Sequence, residues 1–182
     1  MRKSTSGFTI VELLIVIVVI AILAAISIVG YNGIQARARD NIRISALASI
    51  EKAVELYKIT EGAYPPSSGT PSTGWGSCTG ASAYSHSYAT DGTWMKPLID
   101  AKTISKVPVD PVNDCTYYFR YIRVGPGAYG CPTTTNTYVL FSINNDGAAI
   151  PNNAITSAPT GCTGWPASFI SVSNRWVFAK TE

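Results

Sequence analysis

An almost unbroken run of apolar residues near the N-terminus constrains this 182-residue chain more than any other feature. From Leu13 to Val29 only Ser27 is not strictly apolar. Taken from Ile10 to Val29, the run would form a helix of about 30 Å, which is the thickness of the hydrocarbon core of a bilayer. Lipid offers the backbone no hydrogen-bond partner, so a segment crosses it as a helix. The run therefore predicts a single membrane-spanning helix.

The charges around this run carry further information. Arg2 and Lys3 precede it and favour a cytoplasmic N-terminus. Glu12 lies at the start of the run, although a charged side chain opposes insertion of a helix into the membrane by roughly 2.5–3.5 kcal/mol. A secretory signal peptide has a shorter apolar region, of about 7–15 residues, that ends in small residues. In a plain membrane anchor the Glu12 carboxylate would have to reach the membrane–water interface. Such an anchor does not explain why a glutamate is present at this position.

A basic leader, a glycine–phenylalanine junction and a carboxylate thus precede a long apolar helix. The order is Gly7-Phe8-Thr9-Ile10-Val11-Glu12-Leu13-Leu14-Ile15-Val16-Ile17, followed later by Ala21-Ile22-Leu23-Ala24-Ala25-Ile26. These residues resemble the processing site and helix start of type IV pilins and pseudopilins. The resemblance implies cleavage between Gly7 and Phe8 by a prepilin peptidase, N-methylation of Phe8, and transfer of the subunit from the membrane into a helical filament.

The same resemblance gives Glu12 a purpose. Cleavage would leave a cationic amine at Phe8, and Glu12 of one subunit could pair with the Phe8 amine of a neighbour. Two buried charges that find each other offset their burial cost. Many pilins carry a glycine midway along the run and a proline near its end, where the helix can melt in the filament. Ala21 and Val29 stand at those positions here, so a melted segment, if there is one, is expected near Ser27–Gly33.

Length and charge limit the remaining possibilities. At 182 residues the chain predicts one domain and a membrane helix. The net charge is +3, and loss of Arg2 and Lys3 with the leader leaves 12 basic against 11 acidic side chains, so we expect no nucleic-acid partner from the charge. The single histidine, His86, stands far from any triad pattern and there is no phosphate-binding glycine loop, so we expect no enzyme activity.

Four cysteines follow the apolar run: Cys78, Cys115, Cys131 and Cys162. The even count and the expected exterior location favour two disulfides, for which the sequence allows three pairings. Zinc is disfavoured because the chain has no CxxC motif. Pilins often staple a C-terminal loop with a disulfide, so the resemblance implies Cys131–Cys162 and Cys78–Cys115.

We expect no cofactor, with calcium as the only candidate. Some major pseudopilins bind Ca²⁺ in a C-terminal loop, and the weak candidate ligands here are Asp110, Asp114, Asn145 and Asp146. Calcium needs six or more oxygen ligands, and each cluster alone offers few carboxylates. The stretch from Asn144 to Gly147 is also typical of a turn.

A helical pattern continues beyond the run. Apolar residues recur at spacings of three and four: Ile34, Ala38, Ile42, Ala46, Ile50, Ala53 and Tyr57. Charged residues occupy the other faces: Arg37, Asp40, Arg43, Glu51, Lys52, Glu55 and Lys58. This pattern predicts an amphipathic helix that stops at Gly62 and that buries its aliphatic stripe under a sheet. The chain thus divides into a leader (1–7), a membrane or filament-core helix (8–30), its amphipathic continuation (31–61), a loop region (62–115) and a sheet with a stapled C-terminal region (116–182).

The remaining segments indicate loops and strands. The loop from Gly62 to Tyr88 holds Trp75 and Tyr84, our candidates for an adhesive surface. A short helix is predicted within Trp94–Thr103, with strands at Tyr117–Ile122 and Tyr138–Ile143 and a hairpin formed by Phe169–Val172 and Trp176–Phe178. The expected fold is α+β: a long N-terminal helix packed on a small antiparallel sheet, as the pilin resemblance also implies.

The expected function is that of a structural subunit, the major pilin, of a type IV pilus. Its partners would be other copies of itself in a helical homopolymer, the prepilin peptidase, the assembly platform with its ATPase-driven machinery, and the membrane before assembly. The chain would first cross the cytoplasmic membrane once, with a cytoplasmic N-terminus, and then enter an extracellular surface filament. One alternative is a pseudopilin of a type II secretion or DNA-uptake machine, and another is a membrane-anchored binding domain that does not polymerise.

Overall fold

The computed structural model describes residues 7–67, 86–88, 94–134 and 136–181, without the side chains of residues 28–30 and 32. Internal contacts divide the chain into two compact units, one that ends at Ala38 and one from Arg39 to Glu182. The architecture is α+β, with a long N-terminal helix and a three-stranded antiparallel sheet, which confirms the predicted fold class.

Helix α1 runs from Ile10 to Glu61 and contains 52 residues. Gly62 follows it with a φ angle of 78°, and its N–H donates to the carbonyl of Lys58 at 2.9 Å. A glycine in the left-handed conformation satisfies a terminal carbonyl and ends a helix without a Cβ penalty. In the first unit, this helix and the short stretch Gly7–Thr9 before it make up the described residues.

The second unit contains the rest of α1, a short helix and the sheet. Helix α2 spans Lys96–Asp100, with Pro97 in its first turn, inside the segment predicted to be helical. The strands are β1 (Tyr118–Val124), β2 (Thr137–Ile143) and β3 (Arg175–Thr181), in the order β1-β2-β3. Leu140 of β2 lies opposite Tyr121 of β1 and Phe178 of β3. The first two strands lie where the sequence predicts them.

The predicted C-terminal hairpin is wrong in its first arm. Phe169 lies in a 3₁₀ turn, Ala167–Phe169, and Val172 forms only an isolated bridge with Arg175. The strand that contains Trp176 pairs with β2 instead. The outer edge of that strand is partly occupied by a side chain, because the Val177 N–H donates to Ser171 Oγ at 2.8 Å. This bond takes up a donor that a second strand would otherwise use.

The sheet is buried on both faces. Tyr138 and Leu140 pack with Leu47, Ile50 and Val54 of α1 in the larger core. The alternate residues of β2 point to the opposite face, as strand geometry requires, and pack in a second cluster with aromatic residues and a disulfide. The members of that second cluster are Val124, Cys131, Val139, Phe141, Cys162, Trp165, Phe169 and Val177.

The aliphatic stripe predicted for α1 is only partly right. Ala46, Ile50 and Ala53 are buried as expected, whereas Ile42 is half exposed. Asp40 and Arg43, which we placed on the polar faces, are almost completely buried. Helical periodicity assigns charged residues to the solvent unless partners from elsewhere in the chain cover them, and here such partners exist.

Candidate processing site, apolar helix and charge cluster

The Gly7–Phe8 junction lies in exposed, non-helical chain. Both residues and Thr9 precede the first helical residue, and Phe8 is 81% exposed. Among the described residues other than its chain neighbours, none has an atom within 4 Å of the position that a Cβ on Gly7 would occupy. The leader residues before Gly7 lie outside the described part of the chain. The peptide bond expected to be cleaved is therefore open to approach on its described side.

Thr9 and Glu12 form a capping box at the start of α1. The backbone N–H and the hydroxyl of Thr9 donate to Glu12 Oε2 at 2.8 Å and 2.7 Å. In return, the backbone N–H of Glu12 donates to Thr9 Oγ1 at 3.3 Å. This reciprocal arrangement satisfies donors that a helix start leaves open, and a negative charge is favourable there. This local role of Glu12 was missed in the sequence analysis, although the Thr-x-x-Glu pattern of Thr9 and Glu12 predicts a capping box.

The residues that follow form an exposed apolar surface. Between Ile10 and Ile26 every large apolar side chain is about half exposed or more. The window Ile10–Ser27 has a mean hydropathy of 3.1 and is long and apolar enough to cross a membrane. The hydroxyl of Ser27 donates to the carbonyl of Leu23 at 2.8 Å, so the helix itself satisfies its polar group. Glu12 is the only ionisable side chain between Phe8 and Ser27.

The helix is continuous through Ser27–Gly33 in this structure. The hydrogen-bonded backbone of α1 includes Gly30 and Gly33, although glycine costs roughly 1 kcal/mol relative to alanine in a helix interior. The expectation that any melted segment in a filament lies near Ser27–Gly33 stays a prediction.

A buried charge cluster lies in the second unit, around Arg43. Its guanidinium makes a double hydrogen bond to Asp110, with Nε at 2.7 Å from Oδ2 and Nη2 at 3.2 Å from Oδ1. Nη1 donates to Asp40 Oδ1 at 2.7 Å and to Asp146 Oδ2 at 2.6 Å. Arg43 is completely buried, and Tyr117 covers it with a ring centroid 5.2 Å from Cζ. One cation thus joins three carboxylates from three different parts of the sequence.

The carboxylates of the cluster also hold loop backbone. Asp40 accepts from the backbone N–H groups of Asp146 and Ala148, both at 2.9 Å. Asp110 accepts from the N–H of Val112 at 2.9 Å. Asp146 is held a second time, by Arg39, whose Nε lies 2.8 Å from Oδ2. The cluster therefore fixes the turn after β2 and the turn before β1 to α1.

This environment shifts the ionisation of its members. Desolvation opposes the charge on Arg43, but the hydrogen bonds from Asp110, Asp146 and Asp40 outweigh it and raise the pKa of Arg43 above its ordinary value. The hydrogen bond from Arg39 lowers the pKa of Asp146; burial works against this shift and Arg43 adds to it. Both changes favour the charged forms of Arg43 and Asp146, so the contact between these two groups is an ion pair.

The four calcium candidates occupy two kinds of position. Asp110 and Asp146 serve Arg43, as described above. Asp114 Oδ1 accepts from the N–H groups of Thr116 and Tyr117, both at 2.7 Å, and Asn145 is buried at the end of β2. Within the described ranges, no group of three or more His, Cys, Asp or Glu side chains could hold a metal ion. The expectation of no cofactor, with these residues as weak calcium candidates, stays a prediction.

The structure contains a disulfide between Cys131 and Cys162, the pair that the resemblance implied. It lies in the second cluster, on the face of the sheet opposite α1. Cys115 is also disulfide-bonded, whereas Cys78, its expected partner, lies outside the described residues. The adhesion candidates Trp75 and Tyr84 lie outside them as well. His86 is buried and packs against the rings of Tyr88 and Tyr118 at centroid distances of 5.3 Å and 5.6 Å.

Comparisons with known proteins found one match confined to the N-terminal segment and one that extends over most of the chain. The family model for the prokaryotic N-terminal methylation motif matches residues 2–28. The type II secretion system core protein G of Escherichia coli K12 is 28% identical over 165 residues, which cover 83% of this chain and 89% of that protein.

Two pilus proteins match a shorter part. The type IV wide pilus major component PilA4 of Thermus thermophilus is 40% identical over 34% of this chain, and a fimbrial protein of Pseudomonas aeruginosa is 41% identical over 38% of it. These alignments span less than half of each pilus protein, 47% and 44% respectively. No solved structure matches the chain. The N-terminal segment of the chain thus matches the prokaryotic N-terminal methylation motif, and the chain is similar both to a type II secretion core protein and to type IV pilus proteins.

Proposed function

We propose that the chain is a structural subunit, the major pilin, of a type IV pilus. The observation that carries this proposal is the exposed apolar face of α1 from Ile10 to Ile26, which carries a single carboxylate at its first turn. A lipid bilayer can cover such a face before assembly, and sibling helices can cover it afterwards. The methylation motif and the similarity to pilus and type II secretion proteins support membership of the type IV pilin and pseudopilin family, which implies self-assembly into filaments and processing by a prepilin peptidase.

Cleavage after Gly7 supplies the second charge that the helix lacks. The new N-terminus at Phe8 would carry an amine, and N-methylation keeps that amine cationic. Glu12 of one subunit and the Phe8 amine of another can then neutralise each other inside the packed helices. Removing one partner of a buried pair costs about 3–5 kcal/mol, so the pairing sets the register of neighbouring subunits.

The capping box makes a clean test possible, because two functions of Glu12 can be separated. Glu12→Ala removes both the cap and the charge, Glu12→Gln keeps an oxygen acceptor for Thr9 but removes the charge, and Thr9→Val removes the hydroxyl but keeps the charge. We expect both Glu12 variants to be cleaved and membrane-bound yet nearly absent from sheared fibres, and Thr9→Val to give fibres at close to the wild-type yield.

The yields distinguish the possible roles. A loss of fibres in Thr9→Val as large as that in Glu12→Gln would assign the effect to helix capping and would contradict the charge-pairing mechanism. Wild-type yields from all three variants would refute an assembly role for this carboxylate. A chain found only as an uncut, monomeric membrane protein would favour the anchored binding domain.

The partners and location follow from the same mechanism. Arg2 and Lys3 favour a cytoplasmic N-terminus before cleavage. The second unit would then face the exterior, where its disulfides can form. An assembly platform driven by an ATPase would extract the cleaved subunit from the cytoplasmic membrane into a surface filament.

A second candidate is a pseudopilin of a secretion machine. It is favoured by one observation, the alignment with the core protein G over 83% of this chain, whereas the pilus proteins align over little more than a third. Immunogold labelling of whole cells separates the two. Long labelled surface fibres support the pilin, and label confined to the envelope together with a loss of secretion in a deletion strain supports the pseudopilin.

A further inference from the structure

The face of α1 that is turned away from the sheet carries a continuous exposed ridge within the second unit. This outer ridge consists of Ile42, Ser45, Ser49, Lys52, Leu56 and Ile59. Its members are spaced by three and four residues, so they share one side of the helix. A shallow groove of about 380 Å³ lies along its C-terminal half, lined by Ala48, Glu51, Lys52, Glu55, Leu56 and Ile59.

The polar groups of the ridge are mostly satisfied within the helix. Ser45 donates its hydroxyl to the carbonyl of Ile42, and Ser49 donates to the carbonyl of Ser45, both at 2.9 Å. These hydroxyls therefore need no outside partner. With Leu56 and Ile59 exposed, the ridge presents a largely apolar surface.

Lys52 is the exception on this surface. The two carboxylates beside it are engaged elsewhere, because Glu55 pairs with Lys180 at 3.0 Å and Glu51 accepts from the hydroxyl of Tyr138 at 3.4 Å. Within the described ranges Lys52 makes no hydrogen bond or ion pair of its own. An apolar patch with one unmatched cation is complementary to an apolar patch with one unmatched carboxylate.

The turn before β1 offers such a patch. Val109 and Val112 are exposed in it, at 41% and 44%, and Asp114 is exposed close by in sequence. Asp114 uses Oδ1 for two backbone N–H groups, which leaves Oδ2 without a partner among the residues that the structure describes. Arginines or lysines hold most of the other described carboxylates of this unit, namely those of Asp40, Asp110, Asp146, Asp100 and Glu55.

We propose that the outer ridge of one subunit docks on the 109–114 turn of a second copy, with Lys52 facing Asp114. The two surfaces differ and belong to the same chain, so the contact is head-to-tail. A head-to-tail contact that does not close into a ring produces an open helical polymer. This inference rests on the proposed function and adds to the apolar helices a specific contact between the second units.

Charge reversal in a fibre-producing host tests this contact. Lys52→Glu places two negative charges against each other and should lower the yield of sheared fibres by about tenfold or more. Adding Asp114→Asn removes the repulsion and keeps an oxygen acceptor for the turn. The double variant should therefore give at least about threefold more sheared fibres than Lys52→Glu alone. Lys102→Glu changes an exposed lysine outside the ridge and should leave the yield unchanged.

Zero-length crosslinking of wild-type fibres provides a second readout without any substitution. A carbodiimide activates the carboxylate of Asp114, the amine of Lys52 attacks it, and an amide forms with loss of the activating group as a urea. We expect a crosslinked peptide that joins Lys52 to Asp114 in fibres and not in detergent-solubilised monomer.

Several results would overturn the proposal. An unchanged fibre yield in Lys52→Glu would show that the ridge makes no such contact. A loss that Asp114→Asn does not relieve, or a crosslink from Lys52 to a different carboxylate or to a different protein, would assign the ridge another partner. If wild-type cells form no fibres that contain this chain, the proposed function fails as well; if such fibres form, only the contact is in question.

Discussion

Replacement of Arg43 by methionine should strongly destabilise the second unit. The substitution keeps an unbranched side chain of similar length but removes the cation from three carboxylates. Asp40 and Asp110 would then be left as buried charges, since they are only 1% and 2% exposed. Removing one partner of a buried ion pair costs about 3–5 kcal/mol. A domain of this size loses about 2–4 °C of melting temperature per kcal/mol, so we expect a decrease of roughly 6–20 °C.

Thermal unfolding of the detergent-solubilised full chain, followed by tryptophan fluorescence, measures this decrease. Trp94 and Trp176 are buried in the larger core, so their emission reports on the second unit. Arg39→Met is the matched control, because its side chain is 35% exposed and Asp146 keeps Arg43 as a partner. Exposed ion pairs contribute at most about 1 kcal/mol, so this control should lower the melting temperature by less than about 4 °C.

A second substitution checks the cause of the loss. Asp110→Asn in the Arg43→Met background removes one stranded charge while it keeps an acceptor for the N–H of Val112, and part of the lost stability should return. The reasoning would be refuted if Arg43→Met melted within about 3 °C of the wild type, or if Asp110→Asn lowered its melting temperature further.

Two more predictions concern the same unit. Acid should weaken it through Asp146, whose pKa is lowered first by the hydrogen bond from Arg39 and also by Arg43. Because the folded-state pKa lies below the unfolded value of about 3.9, this stability is present above that value and is lost as the pH falls through the folded-state pKa. Melting temperatures measured down a pH series should therefore fall below about pH 4, and less steeply in Arg39→Met; equal slopes would count against the pair. Replacing both Cys131 and Cys162 by alanine opens a bond that spans 31 residues and should cost about 2–4 kcal/mol in urea unfolding, whereas an unchanged midpoint would show that the bond carries no stability.

The sequence was sufficient where local chemistry decides the structure. Hydropathy alone located the apolar helix, and β-branched and aromatic residues located β1 and β2. The capping box of Thr9 and Glu12 is also visible in the sequence, because it needs only a spacing of three residues, whereas the pilin resemblance gives Glu12 a role in assembly alone.

The sequence was insufficient where distant segments decide the structure. Arg43 is buried because carboxylates 67 and 103 residues further along the chain surround it, and helical periodicity contains no information about them. Ile42 is exposed for a related reason. The face of α1 that packs on the sheet contains Leu47 and Val54, and Ile42 lies outside that face. The second strand of the predicted hairpin is β3, and it pairs with β2. Strand pairing depends on which edge of the sheet is free, and the alternation of residues along one strand contains no information about that edge.

The central claim is that this chain is cut after Gly7 and then built into a fibre. Mass spectrometry of protein from sheared surface fibres tests it most directly. The account predicts an N-terminal peptide that begins at Phe8 and carries one methyl group on its amine. Fibre preparations that lack the chain, or a surface-exposed chain that still begins at Met1, would contradict it.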